Sequence, residues 1–392
     1  MPSPDRMPDT EPSGWLDRRF PVTGFLRREY VAFPMPRNLN ALWSFGAFLI
    51  VTMAFMIASG LFLAINYTPD ITQAFASVET IDRQIPSGWF IRGLHMGGVT
   101  MLFACLYIHL GRGLWYGSYK APRELLWLTG LGLMLMIMVT AFAGYVLPWG
   151  QMSYWGATVV LNAVHAIPLI GHPLSELLLG GETLGNIALR RLFVLHFTMA
   201  FAILGVIALH VAALHVVKSN NPTGIDPTSP AQTLPFHPYY TSRDGFALCL
   251  FLMVYAGLVF FLPGLLTLAD NYIQANPLIT PRDIRPEWYF APFYAILRAV
   301  PSRLGGLILA IGSLAVLFAL PWMDRSSIRP ATRRPLVRFS LPLAFASFIL
   351  LGIAGMHPPT ETWLIVSRVA MAWWFIHFLL VMPLASEREI PS

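Results

Sequence analysis

The sequence is poor in charged residues. Of its 392 residues, 12% are Asp, Glu, Lys or Arg, whereas 56% are hydrophobic. Soluble globular domains carry about 25% charged residues, so this composition excludes an ordinary soluble domain. Several windows of 18 or more residues are almost free of charge, and this length and composition are typical of membrane-spanning helices.

Cysteine is also scarce. The two cysteines, Cys105 and Cys249, both lie within apolar segments, where we interpret them as small packing residues. They exclude a disulfide framework, a cysteine-ligated metal cluster and a C-x-x-C-H site for covalent haem. The residues near Met1 are polar rather than apolar, so no cleavable signal peptide is visible.

Long apolar segments fill most of the chain. They predict an all-α membrane protein with eight transmembrane helices. The predicted helices are Ala41–Tyr67, Trp89–Tyr116, Leu125–Leu147, Ile187–Val217, Asp244–Leu266, Leu304–Met323, Phe339–Met356 and Glu361–Leu384. We expect an interfacial arm over residues 1–40 and a four-helix bundle over 41–220, with a surface helix at about 151–167. The other four helices occupy 221–392, with a long loop at 267–303.

The basic residues indicate how these helices are oriented. The net charge is +6, and most Arg and Lys residues lie in segments that would share a side with the N-terminus. Because basic residues concentrate on the cytoplasmic side, we predict that both termini are cytoplasmic. This topology accounts for the basic excess, so no nucleic-acid partner is predicted. The chain has lysine only at Lys120 and Lys218, and this arginine bias favours a bacterial plasma membrane over a mitochondrial inner membrane.

Two predicted helices carry histidine pairs with the same spacing. His95 and His109 lie on the second helix and His196 and His210 on the fourth, each pair fourteen residues apart. Fourteen residues rise about 21 Å and fall about 40° short of four turns, so a pair shares one helix face at two depths. Both helices run in the same direction. We therefore predict that His95 faces His196 near the outer side, and that His109 faces His210 near the inner side.

Paired histidines in hydrocarbon indicate metal ligation. Two imidazoles on opposite sides of an iron fill both axial positions of a haem, which suits electron transfer. Because a covalent attachment motif is missing, the sequence predicts two stacked b-type haems. Haem propionates need cationic partners. We assign Arg92 to the outer haem and Arg112 to the inner haem, because each lies one helical turn outward from a histidine.

Glycines repeat the same interval on the first and third helices. Gly46 and Gly60 are fourteen residues apart, as are Gly130 and Gly144. A flat ring can approach a glycine backbone closely. Glycine is also common at contacts between spanning helices, but four helices that share one interval predict a bundle around two disc-shaped cofactors.

Several motifs together carry a family resemblance. They are the histidine pairs, the run GYVLPWGQMSYWGAT at 144–158, Pro286-Glu-Trp-Tyr289 and Ser219-Asn-Asn-Pro222. Over about residues 30 to 385 the sequence resembles the cytochrome b family, the membrane core of ubiquinol–cytochrome c oxidoreductases. The resemblance implies quinol oxidation at an outer site, with one electron passing to an iron–sulfur protein. The other would pass through the outer and inner haems to quinone at an inner site, coupled to proton translocation.

The implied outer site lies between the third helix, the surface helix and the long loop. By resemblance its residues are Tyr145, Gly156, Ala157, Pro286, Glu287, Trp288, Tyr289 and Tyr294. Glu287 is expected to accept a proton, because desolvation in an apolar loop raises the pKa of a carboxyl group toward neutrality. Tyr145 and Tyr294 are expected to position quinol or to control its access.

The implied inner site lies at the opposite end. His215 ends the fourth helix, Arg243 and Asp244 are expected to open the fifth, and Asn40 opens the first. By resemblance, His215 and Asp244 would hydrogen-bond the quinone carbonyls and deliver protons, and Arg243 stands where the family often has lysine. The remaining histidines, interpreted as surface or packing residues, are His165, His172, His237, His357 and His377.

The implied partners are a Rieske iron–sulfur protein, a cytochrome c1-type subunit, ubiquinol or ubiquinone, the lipid bilayer and a second copy of the complex. Two alternatives stay open on the sequence. A diheme membrane anchor of a dehydrogenase or hydrogenase would explain the histidines but not the Pro286–Tyr289 motif. A secondary transporter would use the histidines as a proton relay, and an absorption spectrum distinguishes it from a cytochrome.

Overall fold

The computed structural model describes residues 14–15, 17–181 and 183–389. Within these residues, eight helices are long and apolar enough to cross a membrane, which confirms the predicted fold class. We name them the first to eighth spans in chain order. They are Ala41–Asn66, Gly88–Trp115, Glu124–Val146, Asn186–Val217, Phe236–Phe261, Arg303–Met323, Pro335–Gly355 and Glu361–Arg388.

Local chain chemistry determines where several spans begin. The Asn40 side chain caps the first span by accepting a hydrogen bond from the Leu42 amide at 3.1 Å. The Ser302 hydroxyl caps the sixth in the same way. The seventh begins at Pro335, four residues before its predicted start, because proline fits the first helical turn, where its missing N–H needs no partner.

The fifth span differs from its predicted limits. It runs from Phe236 to Phe261 rather than from Asp244 to Leu266. Its first turns are polar, so hydropathy alone does not reveal them. Pro263 follows the C-terminal end, where it lacks an amide donor and disfavours helical geometry at the residue before it. Arg243 and Asp244 therefore lie inside the span instead of opening it.

Two connectors between the predicted spans contain further helices. Ala74–Arg83, between the first and second spans, buries one apolar face against the protein. Ala291–Ala299 lies within the long loop and directly follows the Pro286–Tyr289 motif. The predicted surface helix is present as Gln151–His165, and Gly171–Leu179 follows it.

The described part of the N-terminal arm contains helices Val22–Leu26 and Arg27–Val31. It also contains a strand, Pro34–Pro36, that pairs antiparallel with Thr233–Pro235. Three-residue strands bounded by proline give no alternating pattern in the sequence, so this ribbon was not predicted. It attaches the arm beside the start of the fifth span. Residues 1–13 and 16 of the predicted arm lie outside the described residues.

The first four spans pack as two pairs, first against second and third against fourth. The main apolar core joins this bundle to the sixth, seventh and eighth spans, with Phe103, Leu131, Leu317, Leu341 and Phe378 fully buried within it. The fourth span is the most exposed, with 6% of its most apolar window buried. Its outward surface therefore suits contact with lipid or another chain.

Candidate functional site

The second and fourth spans bring the predicted outer histidines together. The rings of His95 and His196 lie 6.0 Å apart between centroids, with an interplanar angle of 71°. Both side chains line the same cavity. This geometry supports the proposed pairing across the bundle.

Three of the four histidines have one ring nitrogen held by an oxygen atom. The Nδ1–oxygen distances are 3.0 Å from His95 to Ser59 Oγ, 2.8 Å from His196 to Thr140 O, and 3.0 Å from His210 to Thr129 Oγ1. An oxygen acceptor at Nδ1 fixes the imidazole tautomer and orientation, and leaves Nε2 available to ligate a metal. The surroundings of His95, His196 and His210 therefore fit axial ligation of iron.

All four predicted glycines face these histidines. The distances from a Cβ built on the glycine to the imidazole Cε1 are 2.5 Å for Gly144 and His196, 3.0 Å for Gly60 and His95, 3.0 Å for Gly130 and His210, and 3.4 Å for Gly46 and His109. Contacts under 3.0 Å are essentially never seen for real Cβ atoms. The glycines thus make room for the imidazole rings, most tightly at Gly144.

The two arginines assigned to propionates have different surroundings. The buried Nε of Arg112 has no hydrogen-bond partner among the described residues, and its guanidinium lies 5.0 Å from the Trp43 ring centroid. An unpartnered buried guanidinium nitrogen suits an anionic group. Arg92 also lines the outer cavity, but it forms an ion pair with Asp82. A propionate would therefore have to share Arg92 with this carboxylate.

One cavity connects the outer histidines with the long loop. Its wall includes His95 and His196 together with Tyr145, Glu287 and Tyr289. The third span, the loop and the histidine layer thus meet at one space, as the resemblance implies for the outer quinol site.

Glu287 is the acidic group of this cavity. Its Oε1 atom and the Tyr145 hydroxyl are buried and have no hydrogen-bond partner among the described residues. Burial raises the pKa of Glu287 to about 7, and the nearby Tyr145 hydroxyl opposes part of this rise. A carboxyl group with this pKa can gain or lose a proton near neutral pH.

The second span anchors the loop that carries Glu287. The Tyr289 ring stacks on Phe103 at 4.3 Å between centroids and an interplanar angle of 5°. The Tyr107 hydroxyl donates to the Tyr289 carbonyl, and the Trp288 ring lies edge-on to Tyr107 at 6.2 Å. Trp288 and Tyr289 therefore hold the loop in place, with Pro286 directly before Glu287.

Three other predicted outer residues, Gly156, Ala157 and Tyr294, are not among the described residues that line this cavity. Gly156 faces Tyr145, since a Cβ built there would lie 3.8 Å from the Tyr145 ring, and Ala157 is buried beside it on the same surface helix. The Tyr294 hydroxyl donates to the Ile284 carbonyl at 3.0 Å. Tyr294 thus braces the loop, and its role in quinol access stays a prediction.

The predicted inner residues form hydrogen bonds with other parts of the chain. Asp244 Oδ1 accepts from the Ser44 hydroxyl at 2.8 Å. Arg243 donates to the Leu39 carbonyl at 2.7 Å.

Asn40 and His215 are tied to the same end of the molecule. Asn40 donates to the Tyr116 hydroxyl at 3.0 Å, and His215 contacts Glu29 of the arm. The first and fifth spans and the arm therefore converge where the inner site was predicted.

Several site residues were not predicted from the sequence. Ser59 and Thr129 hold histidine nitrogens and directly precede Gly60 and Gly130, so a hydroxyl residue beside each glycine was an available signal. Asp82 and Glu29 gave no such signal, because their partners depend on how connectors fold. Ser44 gave none either, because its contact with Asp244 depends on how the first and fifth spans pack.

Comparison with known proteins places the whole chain in one family. A family model described as Cytochrome b/b6/petB matches residues 30–218, and one described as Cytochrome b(C-terminal)/b6/petD matches residues 274–375. Cytochrome b of Rhodospirillum rubrum is 49% identical over 378 residues, which cover 96% of this chain and 93% of the relative. Cytochrome b of Rickettsia prowazekii (strain Madrid E) is 48% identical over 377 residues, covering 96% and 94%.

The fold has a close structural counterpart. A solved structure of a hyperthermophilic respiratory Complex III contains a chain that matches with a TM-score of 0.91 at 32% identity, covering 96% of this chain and 98% of that one. The similarity extends through both the histidine-bearing bundle and the last four spans. The chain therefore belongs to the cytochrome b/b6 family of membrane electron-transport proteins.

Proposed function

We propose that this chain is the diheme core of a quinol–cytochrome c oxidoreductase, active within a larger complex. One observation supports this most directly: a single cavity is lined by the outer histidines, Tyr145 and Glu287. A quinol in this space would lie beside a proton acceptor and beside the ligands of a one-electron carrier. A membrane anchor with one quinone site does not require the Glu287 loop.

In this proposal, His95 and His196 hold the outer b-type haem, and His109 and His210 hold the inner one. The haems, when bound, would supply one-electron carriers at two depths of the bilayer. Ser59, Thr129 and Thr140 orient three of the ligands. The four glycines make room for the imidazole rings of the ligands. Arg92 and Arg112 would compensate the charge of the haem propionates.

At the outer site, Glu287 accepts a proton from quinol. Its carboxylate lines the cavity, and Oε1 has no hydrogen-bond partner among the described residues, so a quinol hydroxyl can donate to it. The wall of the cavity is largely apolar, and a low local dielectric strengthens such an interaction. Tyr145 lies close enough to help position the same quinol oxygen.

At the inner site, His215 and Asp244 would bind the two carbonyl oxygens of quinone and deliver its protons, with Asn40 and Arg243 supporting that end. Oxidation outside and reduction inside would move protons across the membrane by a Q-cycle. An iron–sulfur protein of Rieske type and a cytochrome c1-type subunit would take the other electron, in a dimeric complex of a bacterial plasma membrane. Both chain ends would be cytoplasmic.

Removal of single ligands tests this proposal. In the purified complex, His196→Ala should eliminate the outer b-type absorption component, whereas His210→Ala should eliminate the inner one. Loss of an axial ligand leaves one coordination position empty, so we expect loss of that component and of at least 99% of quinol–cytochrome c turnover. His165→Ala, a surface histidine on the Gln151–His165 helix, is the matched control.

Redox titration of the α-band then distinguishes the two components. Retention of both components in His196→Ala would contradict the ligand pairing. A wild-type complex with no b-type band at all would contradict the proposed function itself and favour a transporter.

A further inference from the structure

The N-terminal arm carries a carboxylate to the inner end of the fourth span. Glu29 Oε2 lies 2.9 Å from His215 Nδ1, across a separation of 186 residues in sequence. The rings of Tyr30 and Phe33 lie 5.8 Å and 4.3 Å from the imidazole. Three residues of the arm therefore fix the orientation of one histidine.

Glu29 is held through its other oxygen as well. Arg28 Nε lies 2.7 Å from Glu29 Oε1, and the Arg28 side chain is 71% exposed. The hydrogen bonds from Arg28 and from His215 lower the pKa of Glu29 below its usual value, so the carboxylate is charged at neutral pH. Glu29 thus links the surface to a histidine that is only 18% exposed.

A carboxylate at Nδ1 has two effects on an imidazole. It fixes Nδ1 as a hydrogen-bond donor, which leaves Nε2 to contact a ligand. It also orients the ring, as the aspartate does in a Ser-His-Asp triad. His215 is therefore arranged to donate a proton from Nε2.

We propose that Glu29 is a positioning residue of the inner quinone site and acts through His215. This inference rests on the proposed function, because it assumes that quinone binds beside His215. Reduction of ubiquinone to ubiquinol consumes two electrons and two protons. His215 gives its Nε2 proton to one quinone oxygen and becomes the neutral tautomer that donates from Nδ1 to Glu29.

The reduction also needs a second proton and two electrons. The second proton comes from another donor, for which Asp244 is positioned at the same end of the molecule. The two electrons are those that the proposed function delivers to the inner site. Water on the inner side returns a proton to Nε2, so Glu29 keeps its charge throughout and is not consumed.

The test measures ubiquinone reduction from the inside in the purified complex. All variants also carry Glu287→Gln, which should disable the outer site. The complex is reduced with stoichiometric dithionite and mixed with ubiquinone, and reoxidation is followed in the inner b-type band. The limiting rate and the half-saturating ubiquinone concentration are then determined separately.

Glu29→Gln should lower the limiting rate about tenfold and change the half-saturating concentration less than twofold. Glu29→Asp keeps the charge but holds the carboxylate farther from His215, because aspartate is one methylene shorter. It should lower the limiting rate about threefold. Asp17→Asn is the matched control, because Asp17 lies in the same arm and accepts from the Thr23 amide at 3.0 Å. Its limiting rate should stay within twofold of the parent.

An unchanged limiting rate in Glu29→Gln would overturn the inference, even if the half-saturating ubiquinone concentration changed. A Glu29→Asp rate no better than that of Glu29→Gln would do the same. If Glu29→Gln fails to assemble with both absorption components, Glu29→Asp decides alone, and a limiting rate equal to the parent overturns the inference. Failure of the parent itself to reduce ubiquinone would instead refute the proposed inner site.

Discussion

The two ends of the histidine-bearing bundle hold their acidic groups in different ways. At the outer end, Glu287 lines a cavity with one carboxylate oxygen that has no partner in the part of the chain that the structure describes, and burial raises its pKa to about 7. At the inner end, Asp244 accepts from Ser44 at 2.8 Å and Glu29 contacts both Arg28 and His215. The proton acceptor that we propose at the outer end thus relies on desolvation, whereas the acids at the inner end are held in hydrogen-bonded pairs.

This difference matches the direction of proton movement that we propose. An outer acceptor needs a proton affinity near the ambient pH, and desolvation supplies it. An inner donor must be refilled from water, and hydrogen-bonded groups with partial exposure connect more readily to the surface. The two ends are therefore expected to respond differently to substitution and to pH.

The largest expected effect is that of Glu287→Gln. Glutamine has nearly the same shape but cannot accept a proton, and general-base catalysis contributes about 10²-fold or more. We expect roughly a hundredfold loss of quinol–cytochrome c turnover with both b-type components retained. In the wild type, turnover should fall as pH drops through about 7, because protonation removes the carboxylate that accepts the quinol proton.

Glu79→Gln is the control for this variant, since Glu79 pairs with the exposed Arg83 side chain on the helix Ala74–Arg83. Its turnover should stay near the wild-type value. Turnover in Glu287→Gln above half of the wild type, or a wild-type profile that is flat between pH 6 and pH 8, would remove Glu287 from the proton path.

A smaller effect is expected from glycine substitution, and it compares the two ends directly. A Cβ at position 144 would lie 2.5 Å from the His196 ring, whereas one at position 46 would lie 3.4 Å from His109. Overpacking of this kind costs about 1–3 kcal/mol. Gly144→Ala should therefore retain the outer haem roughly tenfold more weakly, and Gly46→Ala should keep the inner haem.

The measurement is the content of each haem per polypeptide as the purified complex is diluted. The redox difference spectrum gives the outer and inner components separately. Gly132→Ala, which has nothing within 4 Å of the added Cβ, is the control for helix propensity in the third span. If Gly144→Ala and Gly46→Ala lost equal amounts of haem, the different distances from the added Cβ to the two imidazoles would have no effect on haem binding.

The histidine and glycine layers could be predicted from sequence because a helix has a constant rise and turn per residue. His95 and His109 must share a face once their segment is helical, and Gly60 and Gly46 repeat that interval on the neighbouring span. The same regularity gave the eight spans, with errors only where the ends are polar, as before Asp244, or where proline intervenes.

Contacts made by connectors could not be predicted in this way. The Asp82–Arg92 pair depends on a surface helix in a segment that was expected to be a loop. The Glu29–His215 contact depends on a ribbon of two three-residue strands. No periodic sequence pattern indicates either contact, because both contacts depend on how the connectors fold onto the spans. The role of Arg92 at the outer haem stays a prediction, because Asp82 competes for the same guanidinium.

The smallest expected effect concerns Ser44, which is 1% exposed and donates to Asp244. Ser44→Ala removes a hydrogen bond worth about 1 kcal/mol, so the ubiquinone concentration that half-saturates the inner site should rise roughly fivefold. Ser44→Thr keeps the hydroxyl and should stay within twofold. Outer-site quinol saturation should be unchanged in both variants. If Ser44→Ala changed quinol saturation at the outer site instead, Asp244 would be coupled to the cavity that holds Glu287. The two ends of the bundle would then not act as independent sites.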